Sequence, residues 1–164
     1  MYSRKGFSLI ELMVVIAIVA IMASIGYPSF STLIMNNRIT SQTNALLGVL
    51  QLARSEAVTQ RKAMTVCPSS NQSTCAAPNN NRWANGLVIR NADVGVVRVL
   101  SLSADTPVLG SGTASVVFAT DGTSAGGTLR VCDSRGDADS RTILINAAGQ
   151  SRSRAFQAGD LACP

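Results

Sequence analysis

Four groups of residues in this 164-residue chain have types and spacings that could do chemistry. The first is Glu11, a lone carboxylate in the otherwise apolar stretch that follows RKG in RKGFSLIELMVV. The second is the quartet Cys67, Cys75, Cys132 and Cys163, thiols that can bind a metal or oxidise to disulfides. The third is CDSRGDADS, where Asp133, Asp137 and Asp139 offer oxygen ligands. The fourth is the pair Arg152 and Arg154, which share one face of an extended strand and could grip phosphates. Much chemistry is disfavoured at once. The chain has no histidine for a Ser/His or Cys/His pair and no glycine-rich phosphate loop of the Walker type. Zinc lacks both a histidine and a CxxC pair, and the aspartates depart from EF-hand spacing without the glutamate that should follow. CDSRGDADS therefore reads as a polar turn between strands, and the tripeptide Arg135-Gly136-Asp137 is too short to carry a function. The expectation is a protein that is not an enzyme, with no metal and no cofactor.

The elements that must position these residues begin with a membrane segment. The charged fraction is 14% and the hydrophobic fraction 46%, but the apolar residues are concentrated in residues 7–27. That block matches the roughly 20 residues needed to cross a bilayer, and Arg4 and Lys5 before it set the N-terminus on the cytoplasmic side. Helical spacing continues beyond Pro28 through Phe30, Leu33 and Ile34, then Leu46, Leu50, Ala53 and Ala57. Residues 7–62 would then form one rod of roughly 84 Å, weakened or kinked near Gly26 and Pro28. After Lys62 the pattern changes to short β-prone runs. Strands are expected over 63–67, 86–90, 96–102, 115–119, 128–132, 142–146 and 150–155, with loops at 76–81 and 103–114. The expected fold class is α+β: a long N-terminal membrane-spanning helix whose C-terminal half lays Leu46, Leu47, Leu50, Ala53 and Ala57 on a mainly antiparallel β-sheet head. Its divisions are 1–6, 7–27, 28–62 and 63–164.

All four cysteines lie beyond the span, which suits an oxidising compartment and two disulfides. Four cysteines allow three pairings. The expected one is Cys67 with Cys75, closing CPSSNQSTC, and Cys132 with Cys163, fastening the C-terminal tail to a strand.

Gly6-Phe7-Ser8-Leu9-Ile10-Glu11 resembles the class III leader of type IV pilins and type II secretion pseudopilins. The resemblance implies that a prepilin peptidase cuts after Gly6 and N-methylates Phe7, making residues 1–6 a leader. It also implies a role for Glu11. A carboxylate at bilayer depth costs roughly 2.5 to 3.5 kcal/mol on insertion scales. In a filament, Glu11 of one subunit would face the terminal amine of Phe7 on a neighbour, offsetting charge and setting axial register. A carboxylate resting near the cytoplasmic headgroups is the plainer alternative.

The stretch Leu52-Ala53-Arg54-Ser55-Glu56-Ala57-Val58 is similar to the helix end of FimT/FimU-type minor pilins and GspH-type minor pseudopilins. So are Val117-Phe118, Asp121-Gly122, Arg141-Thr142-Ile143-Leu144-Ile145 and Gly149. The cysteine-closed loop resembles the FimT/FimU group more than GspH. This likeness implies a minor pilin near the filament tip. Its partners would be other major and minor pilins, the peptidase and an inner-membrane assembly platform, and the head would be periplasmic before assembly and extracellular afterwards. Secretion by a GspH-like pseudopilin is one alternative and a DNA receptor for natural transformation another. From Ser29 onward twelve Arg/Lys face eight Asp/Glu, so the head is mildly basic. FimT-like DNA receptors carry Gly-Arg-x-Arg; here the segment is Gly149-Gln150-Ser151-Arg152, and the shifted register Ser151-Arg152-Ser153-Arg154 keeps both arginines but loses the glycine. Arg152 and Arg154 are the candidate DNA contacts, against a plainer reading as charges that guard an edge strand.

Overall fold

The computed structural model describes residues 6–76, 83, 86–102, 108–110, 114–160 and 162–163. Its first element is α1, Leu9–Gln60, 52 residues long. Leucine, methionine, isoleucine and alanine dominate its early turns, and no glycine or proline interrupts them before Gly26. The helix runs through Gly26 and Pro28 rather than ending there. One proline removes a single backbone donor, and the turns on either side keep theirs. The chain divides into two units, Met1–Asn36 and Asn37–Pro164. In the first, the most apolar 18-residue window has a mean hydropathy of 2.6 and is wholly exposed, long and apolar enough to cross a membrane.

In the second unit, the rest of α1 buries Ile39, Thr43, Leu46, Leu50, Ala53 and Ala57. These recur three or four residues apart and so form one stripe. The helix stops where Arg61 takes a positive φ of 52° and the Lys62 amide donates to the Ala57 carbonyl at 3.2 Å, a C-terminal cap that satisfies an otherwise free carbonyl.

Among the described residues eight strands follow: β1 Met64–Pro68, β2 Leu87–Asn91, β3 Gly95–Leu100, β4 Val108–Gly110, β5 Val116–Phe118, β6 Gly127–Val131, β7 Arg141–Ile145 and β8 Ser151–Ala155. They form two four-stranded sheets, ordered β3-β2-β1-β5 and β4-β6-β7-β8. Every pairing is antiparallel. One core joins the helix stripe to both sheets, with Met64, Val66, Ile89 and Phe118 from the first and Leu129, Val131, Ile143 and Ile145 from the second. Truncating a residue such as Leu50 here would cost about 2 to 5 kcal/mol.

The expected antiparallel head takes the form of two sheets among the described residues, both packed on the apolar stripe of α1. One expectation is corrected. Residues 103–114 are not all loop, because Val108–Gly110 is a three-residue edge strand held by β6. Such a strand is too short for period-two alternation to reveal it. Residues 103–107 and 111–113, residues 77–81 of the other expected loop, and residues 1–5 of the expected leader lie outside the described residues.

Candidate functional site

At the N-terminus, Gly6, Phe7 and Ser8 precede the helix and are exposed. The Ser8 amide donates to the Glu11 carboxylate at 3.5 Å, the outer limit of a hydrogen bond, while the Leu12 amide donates to the Ser8 carbonyl at 3.2 Å. Ser8-Leu9-Ile10-Glu11 has the spacing of a capping box, and a negative group in the first turn suits the positive end of the helix. This contact with its own chain is weak, so Glu11 keeps most of its capacity to accept from elsewhere.

At the far end of α1, Arg54 donates from Nε to the Gly122 carbonyl at 3.1 Å and from Nη2 to the Ala148 carbonyl at 2.9 Å. The first carbonyl lies in the turn after β5, the second in the turn between β7 and β8. One helix side chain therefore ties the two sheets together at their turns. Both turns contain a glycine of positive φ, Gly122 at 80° and Gly149 at 72°.

The outer face of the β6-β7-β8 layer is covered by the C-terminal tail. Arg154 forms a two-pronged pair with Asp160, Nη2 to Oδ1 at 2.6 Å and Nη1 to Oδ2 at 2.7 Å. Asp160 Oδ2 also accepts from Thr142 Oγ1 at 2.9 Å and from the Gln157 amide at 3.0 Å. Arg130 is buried beneath the tail. Its Nη2 reaches Asp137 Oδ1 at 2.8 Å and its Nε donates to Ser140 Oγ at 3.0 Å, while the guanidinium lies 4.4 Å from the centre of the Phe156 ring. Asp137 Oδ1 accepts the Cys163 amide at 2.7 Å as well, and Cys163 is bonded to Cys132. The other disulfide joins Cys67 to Cys75. Arg135 occupies the remaining acids of CDSRGDADS, reaching Asp133 at 2.6 Å and Asp139 at 3.5 Å. That ties up both charges of Arg135-Gly136-Asp137 within the loop or its neighbours.

Arg154 chiefly, together with the Gln157 amide and Thr142, lowers the Asp160 carboxyl from 3.8 to about 2, against a burial effect that raises it. The folded value lies below the unfolded one, so the stabilisation is present above pH 3.8 and is lost as pH falls toward 2. The melting temperature of the full chain in detergent should therefore fall more steeply between pH 4 and pH 2 than that of Asp160→Asn. Parallel curves for the two proteins would remove Asp160 from the acid response.

Of the two candidate DNA contacts, Arg154 is engaged by Asp160. Arg152 is exposed and makes no side-chain hydrogen bond or ion pair among the described residues. The roles of Arg54, Arg130, Phe156 and Asp160 are not legible in the sequence. Arg54 lies in the Leu52–Val58 stretch that resembles the minor-pilin helix end, but its acceptors are backbone carbonyls, which leave no trace in residue types. Asp160 carries no local signal at all.

Comparison with known proteins agrees with this architecture. The family described as Type II transport protein GspH matches residues 42–149, and the prokaryotic N-terminal methylation motif matches residues 1–27. The chain is 31% identical over 137 residues to the fimbrial protein EcpC of Eikenella corrodens, covering 82% of this chain and 86% of that protein. Its fold is similar to the type IV minor pilin FimU of Pseudomonas aeruginosa (TM-score 0.57, 23% identity, 77% of this chain and 93% of that one). It is also similar to the minor pseudopilin EpsH of the Vibrio cholerae type 2 secretion system (TM-score 0.51, 15% identity, 72% and 97%). Proteins of this group are structural rather than catalytic and assemble with other pilins or pseudopilins. The apolar N-terminal helix and the pilin-like fold are consistent with membrane anchoring and pilus assembly. The chain belongs to the GspH family, as a minor type IV pilin or GspH-like pseudopilin.

Proposed function

We propose that this chain is a minor subunit of a type IV pilus that primes or joins assembly near the filament tip. The relationship to a fimbrial protein at 31% identity carries the choice of a pilus over a secretion filament. The match to the GspH family favours the secretion reading as the alternative. In this proposal prepilin peptidase removes residues 1–6 and methylates Phe7. Residues 7–27 hold the protein in the inner membrane, and residues 28–62 extend the helix to a disulfide-bonded head of residues 63–164. The head faces the periplasm until an assembly platform moves the subunit into the filament, where it is extracellular. No step requires catalysis by this chain.

Glu11 carries the assembly role. It sits in the first turn of an exposed apolar helix, and the positive amine of a neighbour's processed Phe7 would offset its charge in the apolar filament core. An apolar surface alone slides along a partner, whereas a single charge pair in a medium of low dielectric selects one register. Glu11→Ala is expected to keep the mature mass, because the cleavage site is untouched. Its share in sheared filaments should fall about tenfold or more, equivalent to losing one charge-assisted contact of about 1.5 kcal/mol or more. Wild-type levels of the variant in filaments would eliminate the charge-pairing role.

A further inference from the structure

The segment CPSSNQSTC is closed into a ring by the Cys67–Cys75 bond and has no part in the assembly role of the helix. Its ends are anchored at the first sheet. Cys67 is buried in β1, the Ser69 amide donates to the Gly86 carbonyl at 2.9 Å, and the Ala76 amide donates to the Pro68 carbonyl at 2.6 Å. Between these anchors residues 70–75 are all exposed. The loop is thus held at both ends and presented to solvent along its length.

At its centre stands Asn71-Gln72-Ser73, an Asn-x-Ser triplet whose middle residue is not proline. No other asparagine of the chain is followed two positions on by serine or threonine. In exported proteins such a triplet accepts a sugar on the asparagine side-chain nitrogen. The hydrogen bonds of the loop suit that chemistry. Asn71 Oδ1 accepts from the Ser73 amide at 3.0 Å, the Thr74 amide at 2.9 Å and Ser69 Oγ at 3.1 Å. Gln72, with a positive φ of 60°, turns the chain so that these amides come back onto Asn71. Backbone amides only donate, so the atom they meet is the carboxamide oxygen and the other is the nitrogen. Nδ2 gives one hydrogen to Thr74 Oγ1 at 2.9 Å, and its second has no partner among the described residues. An amide nitrogen is a poor nucleophile because its lone pair is delocalised into the carbonyl. Donors gathered on Oδ1 stabilise negative charge there, which favours the form in which Nδ2 has lost a proton and regained a localised lone pair. Ser73 contributes only its backbone to this arrangement. Its side chain is exposed and makes no hydrogen bond among the described residues, so the hydroxyl is free to be read by a transferase.

We propose that Asn71 is an N-glycosylation site, modified by transfer of a sugar chain from a polyprenyl-pyrophosphate donor. A bond forms between Asn71 Nδ2 and the anomeric carbon as the bond from that carbon to the pyrophosphate oxygen breaks. The pyrophosphate leaves with the electron pair, and the proton lost from Nδ2 passes to a base of the transferase and then to solvent. Nothing is oxidised or reduced. The catalyst is a membrane-bound oligosaccharyl transferase that works outside the cytoplasm, so the proposal rests on the reading that the head is exported. The apolar span of α1 keeps the acceptor on the membrane that carries the lipid-linked donor.

The test is mass spectrometry of the full chain extracted from the membranes of the cells that make it naturally. The tryptic peptide 63–82, which contains the whole loop, should carry the added mass of a sugar. Fragmentation by electron transfer, which leaves sugar linkages intact, should place that mass on Asn71. Ser73→Ala should lose the sugar and keep the wild-type melting temperature, whereas Ser70→Ala should keep both. An unmodified peptide with the Cys67–Cys75 bond closed would overturn the proposal and leave the exported head standing. A sugar on Ser69, Ser70, Ser73 or Thr74, or one retained by Ser73→Ala, would also overturn it. Free Cys67 and Cys75 thiols in those cells would overturn the exported reading and the proposal together.

Discussion

Gly149→Ala should lower the melting temperature of the full chain by about 10 °C or more. Gly149 has a φ of 72°, where an added Cβ costs about 1 to 2 kcal/mol by backbone sterics alone. Here the Cβ would also collide with the Gly122 carbonyl oxygen and crowd Arg54 Nε at 3.1 Å. That carbonyl is the acceptor of Arg54, so relief of the collision must separate the two turns or displace the guanidinium. Losing hydrogen bonds to a charged donor adds about 1.5 to 3 kcal/mol. The total of about 3 kcal/mol or more corresponds to the stated shift for a domain of this size. Gly136→Ala is the control. Its φ is 87°, but nothing lies within 4 Å of the added Cβ, so only the backbone strain should be felt. Equal losses in the two variants would show that the approach of the two turns is not what requires glycine at position 149.

Breaking the Cys132–Cys163 bond by Cys132→Ser/Cys163→Ser should have a comparable effect. The bond spans 31 residues, and restricting a loop of that length in the unfolded chain contributes about 3.7 kcal/mol. The Cys67–Cys75 bond spans 8, for which the same relation gives about 2.5 kcal/mol. The larger loss should also have a local signature. Without the bond, the tail is retained by the Arg154–Asp160 pair, the Cys163 amide on Asp137 and Phe156 over Arg130. Hydrogen-exchange protection at residues 157–160, measured against the intrinsic rate at each pH, should then fall above pH 4 and fall further near pH 2, where Asp160 becomes protonated. Exchange in the tail unchanged by the double substitution would mean that these polar contacts hold it unaided.

The features legible in the sequence are those carried by residue types over long stretches or by regular periods. The apolar run, the stripe of Leu46, Leu50, Ala53 and Ala57, and seven of the eight strands among the described residues fall in this class. The strand ends differ from expectation by a residue or two, as local patterns define centres better than boundaries. β4 was not legible because three residues contain less than two alternations and depend on β6 for every pairing. The separation into two sheets was not legible either, since each strand's own pattern is the same whichever sheet it joins.

The candidate site divides along the same line. Glu11 and the residues around Gly6 stand out because they are neighbours in the chain, and an isolated charge in an apolar segment is conspicuous by composition. The difference between Arg152 and Arg154 is not visible in Ser-Arg-Ser-Arg. It arises because the tail brings Asp160 over Thr142 and Arg154 but not over Arg152. Likewise, Arg54 acquires its role from the carbonyls of Gly122 and Ala148, 68 and 94 residues away. The sequence by itself determined the apolar helix, the β-rich head and the family, because hydrophobic periodicity and local motifs are encoded by adjacent residues. Only the tertiary structure decided which arginine is paired and which turns are joined, because those depend on approaches between distant backbone groups whose identity no side-chain pattern records.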